Sequence, residues 1–89
     1  MDIVQLRTEV IDFVKKASEL EDQEKYEEAR RLYNKAVDNL KYMIKNDGNK
    51  YNIETYEAKL KDYEERSIYL KELVTKIENN KKVPIGGDK

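Results

Sequence analysis

The feature that most constrains this chain is a stripe of alternating small and large apolar residues near its middle. These residues recur at spacings of four, three, four and three: Ala29, Tyr33, Ala36, Leu40 and Met43. Such spacings place all the side chains on one face of an α-helix. The two alanines let neighbouring helices approach closely, while the larger residues fill the space between them. We therefore predict a central helix that is contacted from two sides within a small helical bundle.

A first amphipathic helix precedes this stripe. Its apolar residues alternate spacings of three and four along one face: Ile3, Leu6, Val10, Phe13, Ala17 and Leu20. Asp2 can act as its N-cap, because its carboxylate can accept from free amides of the first turn. The stripe stops at Leu20 and resumes out of phase at Tyr26. We therefore predict helices over residues 3–22 and 26–46.

A turn and a longer third helix follow. Gly48 is the predicted helix-terminating residue, within a run of Asn, Asp and Gly at 46–49. Asn49 or Asn52 can cap the next helix, which we predict over 52–79. Its apolar stripe keeps spacings of four and three throughout: Tyr56, Leu60, Tyr63, Ser67, Leu70, Val74 and Ile77. Pro84 cannot continue a helix, so residues 80–89 are predicted to be a flexible tail or linker.

Three helices joined by short connections pack as antiparallel neighbours. We therefore predict an all-α fold, an antiparallel three-helix bundle formed by a single domain over residues 1–79. The alternative is a coiled-coil oligomer, because the third stripe is also compatible with a heptad repeat. The two predicted turns argue against that alternative.

Composition excludes several functions. The chain has a formal net charge of −1 with 42% charged residues, which is not the basic field expected of a nucleic-acid-binding protein. It contains no Cys and no His, so thiolate zinc sites and the commonest general base are absent. No apolar run approaches the roughly 20 residues of a membrane span, and we expect a cytoplasmic protein. We predict no enzyme activity, no cofactor and no metal.

The remaining candidates are surfaces between the helices, where a partner's helix or extended strand can bind. The flank between helices one and three is predicted to bind a partner through Ile3, Val10, Val14, Asp62, Arg66, Tyr69 and Leu73. Arg66 on this flank is suited to an acidic partner. A second, less favoured surface lies between helices two and three, at Leu40, Met43, Leu60, Glu64 and Ile68. The alternative is that the apolar residues on these flanks only widen the core stripes.

The central stretch resembles a known family. Tyr26-Glu-Glu-Ala29, followed by Tyr33 and Ala36 and later by Tyr63-Glu-Glu-Arg66, is similar to the MIT (microtubule-interacting and trafficking) domain over roughly residues 3–75. The same spacing also resembles half a tetratricopeptide repeat, but no second copy follows at the period of about 34 residues.

The resemblance implies a module that binds C-terminal tails of ESCRT-III-type filament proteins, called Cdv proteins (CdvB-like) in archaea. It implies a linker to an effector, often an AAA ATPase, that is recruited to membrane-associated filaments in sorting, membrane remodelling or division. The family binds a helix between helices two and three, or an extended segment between helices one and three. Glu64 occupies a position that is often apolar in the helix-binding members, which favours the second mode here.

Two other functions stay open at this point. One is a structural bundle that oligomerises through its long third helix, although we expect the isolated chain to be monomeric. The other is a regulatory domain of a different enzyme, such as a protease, a kinase or a microtubule-severing ATPase.

Overall fold

Three α-helices in an up–down–up arrangement make up the described part of the chain. The computed structural model describes residues 2–82, with side chains through Asn80. Helix α1 spans Ile3–Asp22, α2 spans Tyr26–Asn46 and α3 spans Lys50–Lys82. The predicted all-α three-helix fold is confirmed, and α1 and α2 have their predicted bounds.

The third helix is longer than predicted at both ends. It begins at Lys50 because Asn49 is its cap, whose Oδ1 accepts the N–H groups of Tyr51 at 2.9 Å and Asn52 at 3.4 Å. It continues to Lys82, so residues 80–82 extend the helix beyond its predicted end at residue 79. The rest of the predicted tail, residues 83–89, lies outside the described residues. At the start of α1, the predicted cap is confirmed, since Asp2 Oδ1 accepts the N–H of Val4 at 3.0 Å.

The first turn lies where the loss of phase predicted it, and it is made without glycine. Glu24 adopts a left-handed conformation with φ of 62°. Its N–H donates to the carbonyl of Glu21 at 2.9 Å, and the N–H of Lys25 donates to the carbonyl of Leu20 at 2.8 Å. These two bonds form a Schellman motif, which satisfies carbonyls that the helix end leaves free.

The second turn corrects the prediction for Gly48. This residue does not adopt a positive φ, so its conformational freedom does not terminate the helix. Helix α2 instead ends at Asn46, and its C-cap Asp47 has extended backbone angles. Asp47 Oδ1 accepts the N–H of Asn49 at 2.9 Å, so the turn is held by polar side chains.

The core consists of two clusters that follow one another along α2, and each contains residues from all three helices. The first cluster is formed by Leu6, Val10, Ala36, Leu40, Met43 and Tyr56. The second is formed by Ala17, Ala29, Tyr33 and Leu70. Val14 and Tyr63 pack against both clusters. Every residue of the predicted central stripe is buried, which confirms α2 as the central helix.

The outer helices stay apart from each other. Both α1 and α3 pack against α2, but within residues 2–82 no Cα of α1 lies within 8 Å of a Cα of α3. A groove therefore runs between α1 and α3, with α2 beneath it. No helix in this part of the chain is long and apolar enough to cross a membrane.

Candidate functional site

The space between the outer helices, called the α1/α3 groove, contains a cavity of about 330 Å³. Its floor consists of core residues: Val10 and Tyr56 are each 4% exposed, and Leu40 and Met43 are each 1% exposed. Because these side chains are fixed by core packing, the floor exists before any ligand binds. The rest of the lining is Arg7, Ile11, Tyr51, Asn52, Thr55, Lys59 and Tyr63.

Both rims of the α1/α3 groove carry exposed apolar side chains. Ile11 on α1 is 61% exposed, and Tyr51 on α3 is 76% exposed. Single exposed apolar residues are common on protein surfaces, but here two of them flank a cavity with an apolar floor. This combination of a preformed apolar cavity and apolar rims is typical of a binding site.

Two polar contacts cross the α1/α3 groove. In the first, called the N-terminal strap, Arg7 Nη2 donates to Tyr56 Oη at 2.7 Å. Tyr56 Oη donates in turn to Asp47 Oδ2 at 3.0 Å. The pKa of Asp47 is held below its usual value, first by the N–H of Asn49 and then by the Tyr56 hydroxyl and other donors. In the second contact, called the C-terminal strap, Arg66 Nη2 donates to Glu21 Oε1.

The C-terminal strap joins all three helices. Tyr33 on α2 donates its hydroxyl to Glu21 Oε2 at 2.6 Å, and its ring stacks on that of Tyr63 with centroids 6.1 Å apart. Burial, together with the hydrogen bond to Glu21, raises the pKa of Tyr33 to about 12. Arg66 also lies over the ring of Tyr69, with its guanidinium carbon 4.9 Å from the centroid. Arg66, predicted to meet an acidic partner, is thus already paired with an acidic residue of its own chain.

The structure places the residues predicted for the helix 1/3 surface at several separate locations. Val10 lines the groove floor. Ile3 and Val14 are half-buried and pack against the core clusters. Asp62 is exposed on α3.

The remaining predicted residues of that surface lie elsewhere. Tyr69 and Leu73 follow the C-terminal strap along α3, past the last turn of α1. There they line, with Ile68, a cavity of about 700 Å³ that is formed by residues 68–79 of α3. The predicted surface is therefore not one continuous site in the structure.

The second predicted surface, called the α2/α3 groove, is lined mostly by polar residues. Its cavity of about 400 Å³ is lined by Asn34, Val37, Asp38, Lys41, Glu64, Ser67 and Ile68. Of the predicted residues, Glu64 and Ile68 lie in this groove. Leu40 and Met43 instead form the floor of the α1/α3 groove, and Leu60 is half-buried against the first core cluster.

Two contacts cross the α2/α3 groove. Ser67 Oγ donates to Asn34 Oδ1 at 2.6 Å. Lys41 Nζ lies 3.9 Å from Glu64 Oε2. An apolar side chain from a partner would have to displace these polar pairs, which disfavours binding there.

Several lining residues of the α1/α3 groove were missed from the sequence. Ile11 lies outside the apolar stripe from which α1 was predicted, and Tyr51 precedes the predicted start of α3. The signal was nevertheless present. Tyr51, Thr55 and Lys59 recur at a spacing of four and continue to Asp62, so they share a helical face once α3 starts after Asn49.

The fold and the α1/α3 groove define the class of protein. It is a small three-helix bundle whose outer helices leave an open groove with an apolar floor. The described residues contain no cluster of side chains that could hold a metal ion. Residues 9–72 match the MIT (microtubule interacting and transport) domain model. The chain belongs to the MIT domain family.

A curated relative extends this finding. The chain is 32% identical over all 89 residues to Vacuolar protein sorting-associated protein 4 of Dictyostelium discoideum. It spans 20% of that relative's length. No solved structure matches the chain.

Proposed function

We propose that this chain is a protein-interaction module whose α1/α3 groove binds an extended segment from the C-terminal tail of an ESCRT-III-type filament protein. Family membership and the similarity to a vacuolar protein sorting-associated protein support the class of partner. The observation that carries the choice of groove is the separation of α1 from α3, which leaves a cavity with core residues at its floor between two apolar rims.

The two straps favour an extended ligand over a helical one. Both cross the groove, and a helix with side chains is about 10–12 Å in diameter, so it would have to displace them. An extended strand is thinner and can lie along the rims. From Arg7 to Glu21 the groove follows about 21 Å of α1, at about 1.5 Å per residue. At about 3.3 Å per extended residue, that length holds about six residues of a partner.

This interface is small, so binding is weak and reversible. A segment of about six residues buries much less than the roughly 1,200–2,000 Å² of a stable protein–protein interface. We propose that avidity comes from a multimeric parent protein, because linked sites raise the effective concentration. In this scheme the chain itself catalyses nothing and recruits an attached effector, such as an AAA ATPase, to the filament.

Three equally exposed apolar residues provide a matched test. Ile11 lies on the α1/α3 groove, Ile68 lies on the α2/α3 groove, and Val4 lies on α1 outside both, with exposures of 61%, 58% and 62%. Each is changed to Asp, and the full chain is titrated with synthetic ESCRT-III tail peptides by NMR chemical-shift mapping. We expect Ile11→Asp to weaken binding by about tenfold or more, because a buried apolar contact is replaced by a charge.

The controls decide between the surfaces. Val4→Asp and Ile68→Asp should bind like the wild type, since neither touches the α1/α3 groove. Loss of binding in Ile68→Asp alone would assign the ligand to the α2/α3 groove and refute the proposal. Sedimentation at several concentrations tests oligomerisation through α3, and we expect a monomer throughout.

A further inference from the structure

Building on the groove assignment proposed above, we infer that Arg7 and Lys59 bind the carboxylate of an Asp or Glu side chain in the partner segment. These two are the charged residues that line the α1/α3 cavity, and both are cations. A groove with an apolar floor and a purely cationic rim is complementary to a segment that combines apolar and acidic side chains.

Neither cation forms a direct ion pair with a carboxylate of the described residues. Among the described residues, the ion pairs within 4 Å involve Arg30, Lys41 and Arg66, not Arg7 or Lys59. The chain has 19 acidic and 18 basic residues, so carboxylates are available in sufficient number. The cationic rim therefore reflects the local arrangement of charges and not a general excess of basic residues.

Arg7 is oriented to receive a carboxylate. Its Nη2 donates to Tyr56 Oη at 2.7 Å, and its guanidinium carbon lies 5.9 Å from the Tyr56 ring centroid. These contacts hold the side chain across the groove, while the other guanidinium N–H groups stay free for a bidentate pair with a carboxylate. The pKa of Arg7 is raised first by its hydrogen bond with Tyr56 and to a smaller degree by the charge of Asp47. Asp47 makes no direct ion pair with Arg7, and its oxygens accept from Asn49, Asn52 and Tyr56.

The geometry favours a side-chain carboxylate over a chain terminus. Along α3 the lining of the cavity extends from Tyr51 to Tyr63, so it continues on both sides of Lys59. A partner segment can therefore pass through the groove with residues on either side of the acid.

The test uses random hexapeptides displayed on phage between fixed flanks, so that no free peptide C-terminus is present. They are selected on the full 89-residue chain and on its Lys59→Gln, Arg7→Gln and Lys61→Gln variants. Lys61→Gln is the charge-matched control, since Lys61 is exposed and lies outside the cavity. We expect the wild type and Lys61→Gln to select apolar peptides with Asp or Glu at one fixed position. Selection on Lys59→Gln and Arg7→Gln should lose that acidic preference.

A selected peptide is then synthesised with Glu or Gln at the fixed position. The change to Gln should weaken binding to the wild type about three- to tenfold and leave binding to Lys59→Gln unchanged. Circular dichroism checks helicity. If Arg7→Gln unfolds, Lys59→Gln decides alone, because an exposed lysine is not needed for folding.

The outcomes separate this inference from the proposed function. Peptides that require Ile11 but show no acidic preference would overturn the carboxylate site and leave the groove assignment intact. Peptides that bind equally well to Ile11→Asp would overturn both. An acidic preference that survives in Lys59→Gln and Arg7→Gln would also refute the inference.

Discussion

The two grooves that flank α3 differ in what lies at their bottom. In the α1/α3 groove the helices stay apart and core residues such as Leu40 form the floor. In the α2/α3 groove the helices pack directly, and Ser67 and Glu64 reach across to polar residues of α2. A binding groove in so small a bundle therefore arises where two helices pack on a third helix while their own backbones stay apart.

The sizes of the interior side chains explain this asymmetry. Ala29 and Ala36 on α2 are fully buried, which lets the central helix approach its neighbours closely. Tyr56 and Tyr63 of α3 pack into the interior from the side of the α1/α3 groove, and Tyr63 contacts both core clusters. Large aromatic side chains there keep α1 and α3 separated, and the straps bridge the remaining distance.

Replacing a residue at the floor of the α1/α3 groove should change stability most, and it tests whether that floor is part of the hydrophobic core. Leu40→Ala should lower the free energy of unfolding by about 2–5 kcal/mol, because a side chain that is 1% exposed leaves a cavity. Ile68→Ala, on the α2/α3 groove, should change it by no more than about 0.5 kcal/mol, because Ile68 is 58% exposed. Urea denaturation followed by circular dichroism measures both. Equal losses of stability in the two variants would show that the floor of the α1/α3 groove is no more part of the core than Ile68 is.

The next effect concerns the C-terminal strap. Tyr33→Phe removes a hydroxyl that donates to Glu21 and should cost about 1 kcal/mol at neutral pH. The pKa of Tyr33 is raised from 10.0 to about 12 in the folded state. The folded state therefore holds the phenol proton more tightly than the unfolded chain. Its contribution to stability is complete below pH 10 and is lost as the pH rises toward 12.

A shift of this size corresponds to about 2–3 kcal/mol of alkaline destabilisation. Urea denaturation between pH 8 and pH 12 should show a steeper loss for the wild type than for Tyr33→Phe, and the difference between the two curves isolates Tyr33 from other groups. Parallel curves would show that the hydroxyl is not buried against Glu21.

Much of the fold could be predicted from the sequence because helical periodicity records burial directly. The stripe through Ala29 and Leu40 identified the central helix, and the loss of phase after Leu20 located a turn that contains no glycine. The prediction for Gly48 was wrong because residue type alone does not say which group terminates a helix. There, the side chains of Asp47 and Asn49 supply the hydrogen bonds, and the glycine keeps an ordinary φ.

The site was harder to predict because a groove depends on distances between helices. Val10 and Leu40 could be assigned to the interior, but nothing in their spacing says that the interior stays accessible between α1 and α3. Tyr51 was missed through a two-residue error in the start of α3. Arg66 looked available because its partner Glu21 lies on another helix and is distant in sequence.

The smallest changes in stability are expected for the two contacts that cross the α2/α3 groove. Ser67→Ala should lower the free energy of unfolding by about 0.5–1 kcal/mol, because Ser67 is 8% exposed and its hydroxyl donates at 2.6 Å to Asn34. Glu64→Gln should change it by less than about 0.3 kcal/mol, because its partner Lys41 is 3.9 Å away and both side chains are roughly half exposed. The same urea denaturation measures both, with Ser18→Ala, an exposed serine on α1, as the control for side-chain removal. A larger loss of stability for Glu64→Gln than for Ser67→Ala would show that the ion pair, and not the hydrogen bond, mainly holds α2 and α3 together at this groove. In that case high salt would weaken the contact between Lys41 and Glu64, and the α2/α3 groove would become a competing site for apolar ligands.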